Sequence, residues 1–203
     1  MEEPARGQLP FVGLTGGIAA GKSEALAALE RLGAATLSAD AVVHELLGSD
    51  ELRALLVERF GDEVAPGGGP VDRDALGALV FERPAEREWL EQQLWPRVGA
   101  RIAEWRAAAE GASPPPRVAV VEVPLLFESG MEGAFDQTIT VVAKEETCRD
   151  RAAARGHAGQ DARTERQLSQ EEKAERADFV AENDGNLEDL EATMTRLLAT
   201  MGA

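Results

Sequence analysis

The chain has 203 residues and a mass of 21.7 kDa, a length typical of one compact domain with room for an inserted subdomain. Its 21 Lys and Arg residues stand against 37 Asp and Glu residues, which gives a formal net charge of −16. Such a charge repels nucleic acids and anionic membranes over most of the protein surface. The composition therefore predicts no nucleic-acid or membrane partner, and any anionic ligand needs a local concentration of positive groups.

Cysteine usage and the first residues favour a reducing compartment. A single cysteine, Cys148, cannot form an internal disulfide, and the sequence has no Cys/His cluster at metal-ligand spacing. Residues 1–8 lack the apolar region of a signal peptide, and no apolar run approaches the roughly 20 residues that span a bilayer. We therefore expect a cytoplasmic protein, present as a monomer or a small homo-oligomer.

The first forty residues predict a strand, a loop, a helix and a second strand. The apolar, β-prone residues 9–14 indicate the first strand, and the glycine-rich residues 15–21 indicate a loop after it. Beyond Lys22, leucines recur at helical spacing among alanines until Gly33, where the helix should end. Residues 34–37 are then expected to form the second strand.

The next seventy residues are dominated by helical patterns. Residues 42–60 and 74–109 each predict helix, separated by the proline- and glycine-rich break at 66–70. In the second helix apolar residues recur four apart, and Pro96 is expected to kink or interrupt it. This stretch is therefore a largely helical region between strands.

The second half of the chain returns to strands. Residues 118–123 and 139–143 are almost continuously apolar, which is typical of strands buried on both faces and so indicates a parallel sheet. The remaining elements are predicted in the order helix, helix, strand and helix at residues 145–155, 161–175, 178–180 and 187–201. The whole pattern predicts an α/β fold.

A phosphate-binding motif lies between the first predicted strand and helix. Residues 16–23, GGIAAGKS, fit the P-loop motif G-x-x-x-x-G-K-[ST] in the setting that it requires. Its glycines allow backbone N–H groups to converge on phosphate oxygens, and the helix N-terminus adds partial positive charge. Lys22 can reach the β- and γ-phosphates, and the Ser23 hydroxyl can bind Mg²⁺. The motif predicts nucleotide binding without separating a kinase from an ATPase or a GTP switch.

Two carboxylates lie where a ligand is expected. Asp40 follows Ser38 at the carboxyl end of the second strand, where open α/β sheets bind ligands. It can accept a proton from an attacking hydroxyl or cap the following helix. Glu122 is an acidic interruption of an apolar run, and it can either hold Mg²⁺ or face solvent at an edge. The residues alone leave both alternatives open.

Five arginines flank the break at residues 156–159. They are Arg149, Arg151, Arg155, Arg163 and Arg166. Phosphoryl transfer spreads negative charge over three oxygens, and arginines on a mobile lid neutralise that charge and exclude water. The alternative for each arginine is a solvated helix face balanced by acidic neighbours. We expect Arg151 or Arg155 to contribute to the reaction.

From about Phe11 to Gly185, these residues resemble the dephospho-CoA kinase family. The sequence Leu-Thr-Gly-Gly at the start of the P-loop is similar to that of the family. Residues 123–128, VPLLFE, are the most diagnostic match outside the loop. The other similar positions are Ser38-Ala39-Asp40, Val71-Asp72-Arg73, Leu76, Val80-Phe81, Leu94-Trp95-Pro96, Arg151, Arg155, Arg166, Gln170, Ala177-Asp178, Asn183 and Gly185.

The resemblance implies a P-loop NTPase-type parallel sheet flanked by helices, with an inserted helical substrate domain and a small helical lid. Residues 8–40, 113–148 and 176–203 would form the nucleotide-binding core. Residues 41–112 would form the helical CoA-substrate domain, and residues 149–175 the lid.

The implied reaction is transfer of the γ-phosphoryl group of ATP to the ribose 3′-hydroxyl of dephospho-CoA, giving coenzyme A and ADP, with Mg²⁺ as cofactor. The implied catalytic residues are Asp40 as base, Lys22, Arg151 and Arg155. The implied ATP-binding residues are Gly16, Gly17, Ile18, Ala19, Ala20, Gly21, Lys22, Ser23, Glu24 and Asn183. The implied substrate-binding residues are Asp40, His44, Pro124 and Leu125. Ser23 would hold Mg²⁺, with Glu122 as a second candidate ligand.

The chain departs from the family pattern at several positions. Ser38 stands where the family usually has Asp, His44 where it commonly has Arg, and Trp95 where it commonly has His. The two alternative functions are another small-molecule P-loop kinase and a nucleotide-dependent switch. The sequence shows no guanine-reading N-K-x-D motif.

Overall fold

The structure is a computed structural model that describes residues 9–154 and 167–201. The strands in these ranges are β1 (Phe11–Gly16), β2 (Ala35–Ser38), β3 (Ala119–Glu122), β4 (Gln137–Val142) and β5 (Phe179–Glu182). They form one sheet in the order β2-β3-β1-β4-β5. Every neighbouring pair is parallel, which confirms the predicted α/β fold with a parallel sheet.

β1 occupies the centre of the sheet, between β3 and β4. All its residues are buried, because a central strand of a parallel sheet is covered by helices on both faces and by strands on both edges. The register aligns Leu14 of β1 with Glu122 of β3, and Glu122 with Ser38 of β2. The carboxyl ends of these three strands therefore lie side by side, at the edge where open α/β sheets bind ligands.

Eight α-helices are found in the described residues. They are α1 (Lys22–Arg31), α2 (Ala39–Leu47), α3 (Asp50–Phe60), α4 (Arg73–Glu82), α5 (Pro84–Glu110), α6 (Glu145–Ala154), α7 (Gln170–Arg176) and α8 (Leu187–Thr200). None of the helices in residues 9–154 and 167–201 combines the length and apolar character needed to cross a membrane.

Two predicted helices are each divided in the structure. Residues 42–60 form α2 and α3, because the Ser49 hydroxyl accepts the Leu52 N–H at 3.3 Å and begins a new helix. Residues 74–109 form α4 and α5, because Arg83 precedes a proline and takes an extended conformation. Of the two effects expected at Pro96, a kink or an interruption, the interruption does not occur, since α5 continues through this residue. Proline removes one helical hydrogen bond there, and the helical turns on both sides remain.

The chain divides into two compact units. The first runs to Ser38 and resumes at Arg106, and the second is Ala39–Trp105. The first unit contains the sheet, with an aliphatic core in which Val12, Leu29 and Met194 are fully buried. The second unit is helical, and its core includes the fully buried side chains of Leu52 and Leu56.

The limits of the helical unit lie at the start of α2 and within α5. The unit begins at Ala39 because α2 follows β2 without a connecting residue. The last turn of α5 belongs to the sheet unit, where the Arg106 guanidinium lies 4.4 Å from the ring centroid of Phe11. A helix can therefore be continuous while its two ends belong to different compact units.

Candidate active site

The loop between β1 and α1 supplies the backbone of the candidate site. It leaves β1 at Gly16, and α1 begins at Lys22. Gly21, just before the helix, has a φ of +102°, a conformation that side chains with a Cβ rarely adopt. A Cβ at Gly21 would also collide with the amide nitrogen of Asn183. The loop therefore requires glycine here, and the first N–H groups of α1, which lack partners within a helix, follow directly.

The Lys22 ammonium group folds back over the start of the loop. Its Nζ donates to the carbonyl oxygens of Gly16 at 3.2 Å and Gly17 at 3.0 Å. Ser23 and Glu24, the next residues of α1, are exposed. A positive charge thus lies against the loop whose backbone is expected to bind phosphates.

Two side chains from distant parts of the first unit hold the carbonyl group of Ala20. Asn183 is 4% exposed, and its side-chain amide donates to the Ala20 oxygen at 2.8 Å. Arg151 Nη1 donates to the same oxygen at 3.3 Å and to the Asn183 carbonyl at 3.0 Å. The solvated-face alternative is therefore wrong for Arg151. Asn183 and Arg151 fix the end of the loop just before the helix. Arg155, the other expected catalytic arginine, lies outside the described residues.

Gln170 contacts the first half of the loop. Its amide spans both backbone groups of Ala143, accepting the N–H at 2.9 Å and donating to the carbonyl at 3.0 Å. This leaves the Gln170 side chain so close to Gly17 that a Cβ there would lie 2.5 Å from Gln170 Cγ. Gln170 is one of the positions that resemble the family, but the sequence assigned it no role. Its contacts with Ala143 and Gly17 join residues that are too far apart in the chain for sequence spacing to predict them.

Glu122 lies at the carboxyl end of β3, between β2 and β1. It is 7% exposed, and its Oε2 accepts the Ser38 hydroxyl at 2.9 Å. The alternative of an edge charge facing solvent is therefore wrong. Ser38, where the family usually has Asp, is a hydrogen-bond donor to a carboxylate that an aspartate would repel.

Asp40 and His44 lie in α2, within the helical unit. Both are exposed. His44 Nδ1 lies 2.6 Å from Nη1 of Arg73. Because a guanidinium can only donate, the imidazole nitrogen is the acceptor in this pair. The sequence places His44 where the family commonly has Arg, and the structure brings an arginine to it from α4. Arg73 is one of the positions that resemble the family, but the sequence did not predict it as a site residue.

Pro124 and Leu125 follow β3 and are both half-buried. The Pro124 carbonyl accepts the Thr15 hydroxyl at 3.2 Å and the Lys173 ammonium at 2.7 Å. The Leu125 carbonyl accepts the N–H of Ser129 at 3.0 Å. Of the remaining loop residues, Ile18 is exposed and Ala19 has a positive φ of 57°.

Cys148 lies in α6, and its thiol is 3.8 Å from the Ala143 carbonyl oxygen. Burial raises the pKa of the thiol, and the nearby Arg151 only partly opposes this effect. The thiol is therefore protonated at neutral pH and is a weak nucleophile.

A glycine-rich loop carrying Gly-Lys-Ser joins the central strand of a parallel sheet to a helix, which defines a P-loop nucleotide-binding protein. The model of the dephospho-CoA kinase (CoaE) family matches residues 10–189. The chain belongs to the dephospho-CoA kinase family. Its members are ATP-dependent kinases that phosphorylate a hydroxyl group, and the two alternative functions are not favoured.

Individual relatives agree with the family match. The dephospho-CoA kinase of Anaeromyxobacter dehalogenans is 41% identical, over 94% of this chain and 91% of its own. That of Symbiobacterium thermophilum is 39% identical, over 88% and 75%. Among solved structures, TT1252 from Thermus thermophilus has a TM-score of 0.83 and 33% identity, covering 96% of this chain and 99% of its own. Dephospho-CoA kinase from Campylobacter jejuni has a TM-score of 0.68 and 25% identity, covering 94% and 96%.

Proposed function

We propose that this protein transfers the γ-phosphoryl group of ATP to the ribose 3′-hydroxyl of dephospho-CoA, giving coenzyme A and ADP. The observation that carries the proposal is the P-loop geometry, with Lys22 folded over the loop, in a member of the dephospho-CoA kinase family. The proposal includes a cytoplasmic location, a monomer or small homo-oligomer, and no nucleic-acid partner.

Residues 16–24 and Asn183 are proposed to form the ATP site. The ammonium of Lys22 would exchange its two carbonyl partners for β- and γ-phosphate oxygens when ATP binds. The Ala20 carbonyl stays tied to Asn183 and Arg151, so the loop keeps its backbone N–H groups in place for the phosphates. A loop fixed before binding loses less conformational entropy when the nucleotide arrives.

Ser23 and Glu122 are the proposed Mg²⁺ ligands. A hydroxyl and a carboxylate are the hard oxygen donors that Mg²⁺ prefers, so this donor set fits the ion. Ser38 orients one carboxylate oxygen of Glu122 through its 2.9 Å hydrogen bond. When bound, Mg²⁺ would neutralise charge on the phosphate oxygens.

Asp40 is proposed to orient the 3′-hydroxyl of the acceptor and to take its proton. Its exposed carboxylate follows the carboxyl end of β2 by two residues. Because the transition state of phosphoryl transfer is loose, alignment of the hydroxyl contributes more than proton removal. The helical unit, with His44, is proposed to bind the CoA moiety. In the sheet unit, Pro124 and Leu125 are proposed as substrate-binding residues.

Arg151 and Arg155 are proposed to neutralise the charge that develops on the transferred phosphoryl group, as part of a lid at residues 149–175. Arg151 supports this assignment because its guanidinium already lies at the end of the P-loop. Removing Arg155 should lower kcat; an effect on thermal stability alone would instead support a solvated helix position.

A coupled assay of ADP release tests the proposed function. We expect ADP release that requires both ATP and dephospho-CoA, with one coenzyme A formed for each ADP. Equal release without an acceptor would support a nucleotide-dependent switch. Release that requires a different hydroxyl compound would support another small-molecule kinase.

Substitution of Asp40 tests the assignment of the base. We expect Asp40→Ala to lower kcat by about 100-fold or more, because both the alignment and the base are lost, with an unchanged circular dichroism spectrum because the side chain is exposed. Asp50→Ala is the matched control, since Asp50 is also an exposed aspartate in the first turn of a helix. Near-normal turnover of Asp40→Ala with dephospho-CoA would show that Asp40 is not the base.

A further inference from the structure

Lys173 is a fully buried lysine behind the candidate site, with 0% of its surface exposed. Its Nζ lies 2.7 Å from the Pro124 carbonyl oxygen, 3.0 Å from Glu128 Oε1 and 3.4 Å from the Thr15 hydroxyl. A lysine ammonium has three N–H donors, and three acceptors surround this one. Taking the charge out of water is costly even when it is paired, so its burial here requires an explanation.

The partners of Lys173 belong to the two segments that leave the sheet at the ligand-binding edge. Thr15 directly precedes Gly16, where the P-loop begins, and Pro124 follows the last residues of β3. The Thr15 hydroxyl also donates to the Pro124 carbonyl at 3.2 Å. Lys173, Thr15 and Pro124 are therefore hydrogen-bonded to one another, and this network joins the start of the loop to the segment that carries Pro124 and Leu125.

The ion pair with Glu128 is poorly arranged for stability alone. Glu128 Oε1 accepts both Lys173 Nζ and the Leu168 N–H, the latter at 2.9 Å. Glu128 Oε2 is buried, and it has no hydrogen-bond partner among the described residues. Leaving a carboxylate oxygen in this state costs free energy. A pair selected only for stability would be replaceable by apolar side chains of similar size.

Gln170 connects the helix that carries Lys173 to the P-loop itself. Gln170 and Lys173 are three residues apart in α7, so they lie on one face of the helix. Gln170 packs on Gly17 while Lys173 reaches Thr15. One face of α7 thus contacts the residues on both sides of Gly16.

We propose that Lys173 is a positioning residue of the phosphoryl-transfer reaction. Its ammonium fixes the start of the P-loop relative to the Pro124–Leu125 segment, acting through the Thr15 hydroxyl and the Pro124 carbonyl. The inference rests on the proposed function, since these two segments are the expected contacts of ATP and of the acceptor. Displacing either by about 1 Å would lower the rate considerably.

Substitutions in the full-length protein separate positioning from ion-pair stability. Lys173→Met removes the ammonium with little change of volume, and leaves the Glu128 charge buried without its partner. The double variant Lys173→Met with Glu128→Gln removes both charges and keeps an acceptor for the Leu168 N–H. Arg31→Met is the control, because Arg31 forms an exposed ion pair with Glu191 in the same unit.

We expect Lys173→Met to lower both the melting temperature and kcat, the latter by about tenfold or more. The double variant should recover most of the melting temperature but not kcat, because the Pro124 carbonyl and the Thr15 hydroxyl still lack the Lys173 ammonium. Arg31→Met should change neither quantity measurably. Recovery of wild-type kcat in the double variant would overturn the proposal, as would full activity of Lys173→Met. Failure of both variants to fold would assign Lys173 to folding and would equally overturn it.

Calorimetric titration with ATP separates this proposal from the proposed function. A wild-type protein that binds ATP without phosphorylating dephospho-CoA would contradict the proposed function only. A loss of ATP affinity of about tenfold in the folded double variant would still support positioning of the loop by Lys173. If the wild-type protein lacked kinase activity and the double variant bound ATP as tightly as the wild type, both the proposed function and the role of Lys173 would be contradicted.

Discussion

Polar side chains have different uses around the P-loop and on the surface of the helical unit. Around the loop they are buried and end on backbone carbonyl groups, as with Asn183 on Ala20 and Lys173 on Pro124. In the helical unit, charged side chains form ion pairs that remain partly exposed, including Arg97 with Glu51. The first arrangement fixes a backbone, whereas the second leaves charged side chains in contact with water.

The effect of a charged side chain depends on whether it is buried, and the net charge of −16 does not show this. Exposed ion pairs each contribute little to stability, so much of the charge on the helical unit is free to vary. A buried polar group has a larger effect, because removing its partner leaves a donor or acceptor without water. The few positive groups at the loop therefore matter more for anion binding than the total charge does.

Substitution of Lys22 should give the largest effect on the loop side of this comparison. We expect Lys22→Ala to lower kcat/KM by about 100-fold or more, because the ammonium group that stabilises phosphate charge is lost. Its Nζ donates to the carbonyl groups of Gly16 and Gly17 at the start of the loop, and we expect the fold to remain. Steady-state kinetics with a melting curve checks both expectations, and a loss of less than about tenfold would contradict the role of Lys22.

A smaller effect is expected from the buried amide of Asn183. Asn183→Ala removes one of two donors to the Ala20 carbonyl, and Arg151 still supplies the other. We expect the Kd for ATP to rise by about tenfold and the free energy of unfolding to fall by about 1–3 kcal/mol. Calorimetric titration and urea unfolding measure the two quantities. An unchanged Kd together with the loss of stability would show that Asn183 supports the fold but not the loop.

Much of the fold was predictable, because it depends on local patterns. The apolar runs at residues 118–123 and 139–143 predicted buried strands; β3 lies within the first run, and β4 overlaps most of the second. The P-loop motif is equally local, since a strand, a loop and a helix follow one another directly. The two helix boundaries that were missed also had local signals, because Ser49 is a typical N-cap residue and Arg83 precedes a proline.

The side chains that hold the loop were not predictable in the same way. Asn183 and Ala20 are separated by 163 residues, and Lys173 and Pro124 by 49. Lys173 lies in a run of charged residues that predicts a solvated helix face, yet α7 directs it into the interior. Which residue of a charged helix is buried depends on the packing of the other elements, and the spacing of charges within the helix does not contain this information.

The smallest effect is expected from an ion pair of the helical unit, where Arg97 donates to Glu51 at 2.7 Å. We expect Arg97→Met and Glu51→Gln to change the free energy of unfolding by less than about 1 kcal/mol each, and to leave kcat and KM unchanged. A double-mutant cycle gives their coupling energy, which should lie below about 1 kcal/mol and decrease as salt is added. A coupling above about 2 kcal/mol would show that this pair behaves as a buried one. The contrast between the loop and the helical surface would then not hold, because the energy of a polar contact would not follow from its exposure to water.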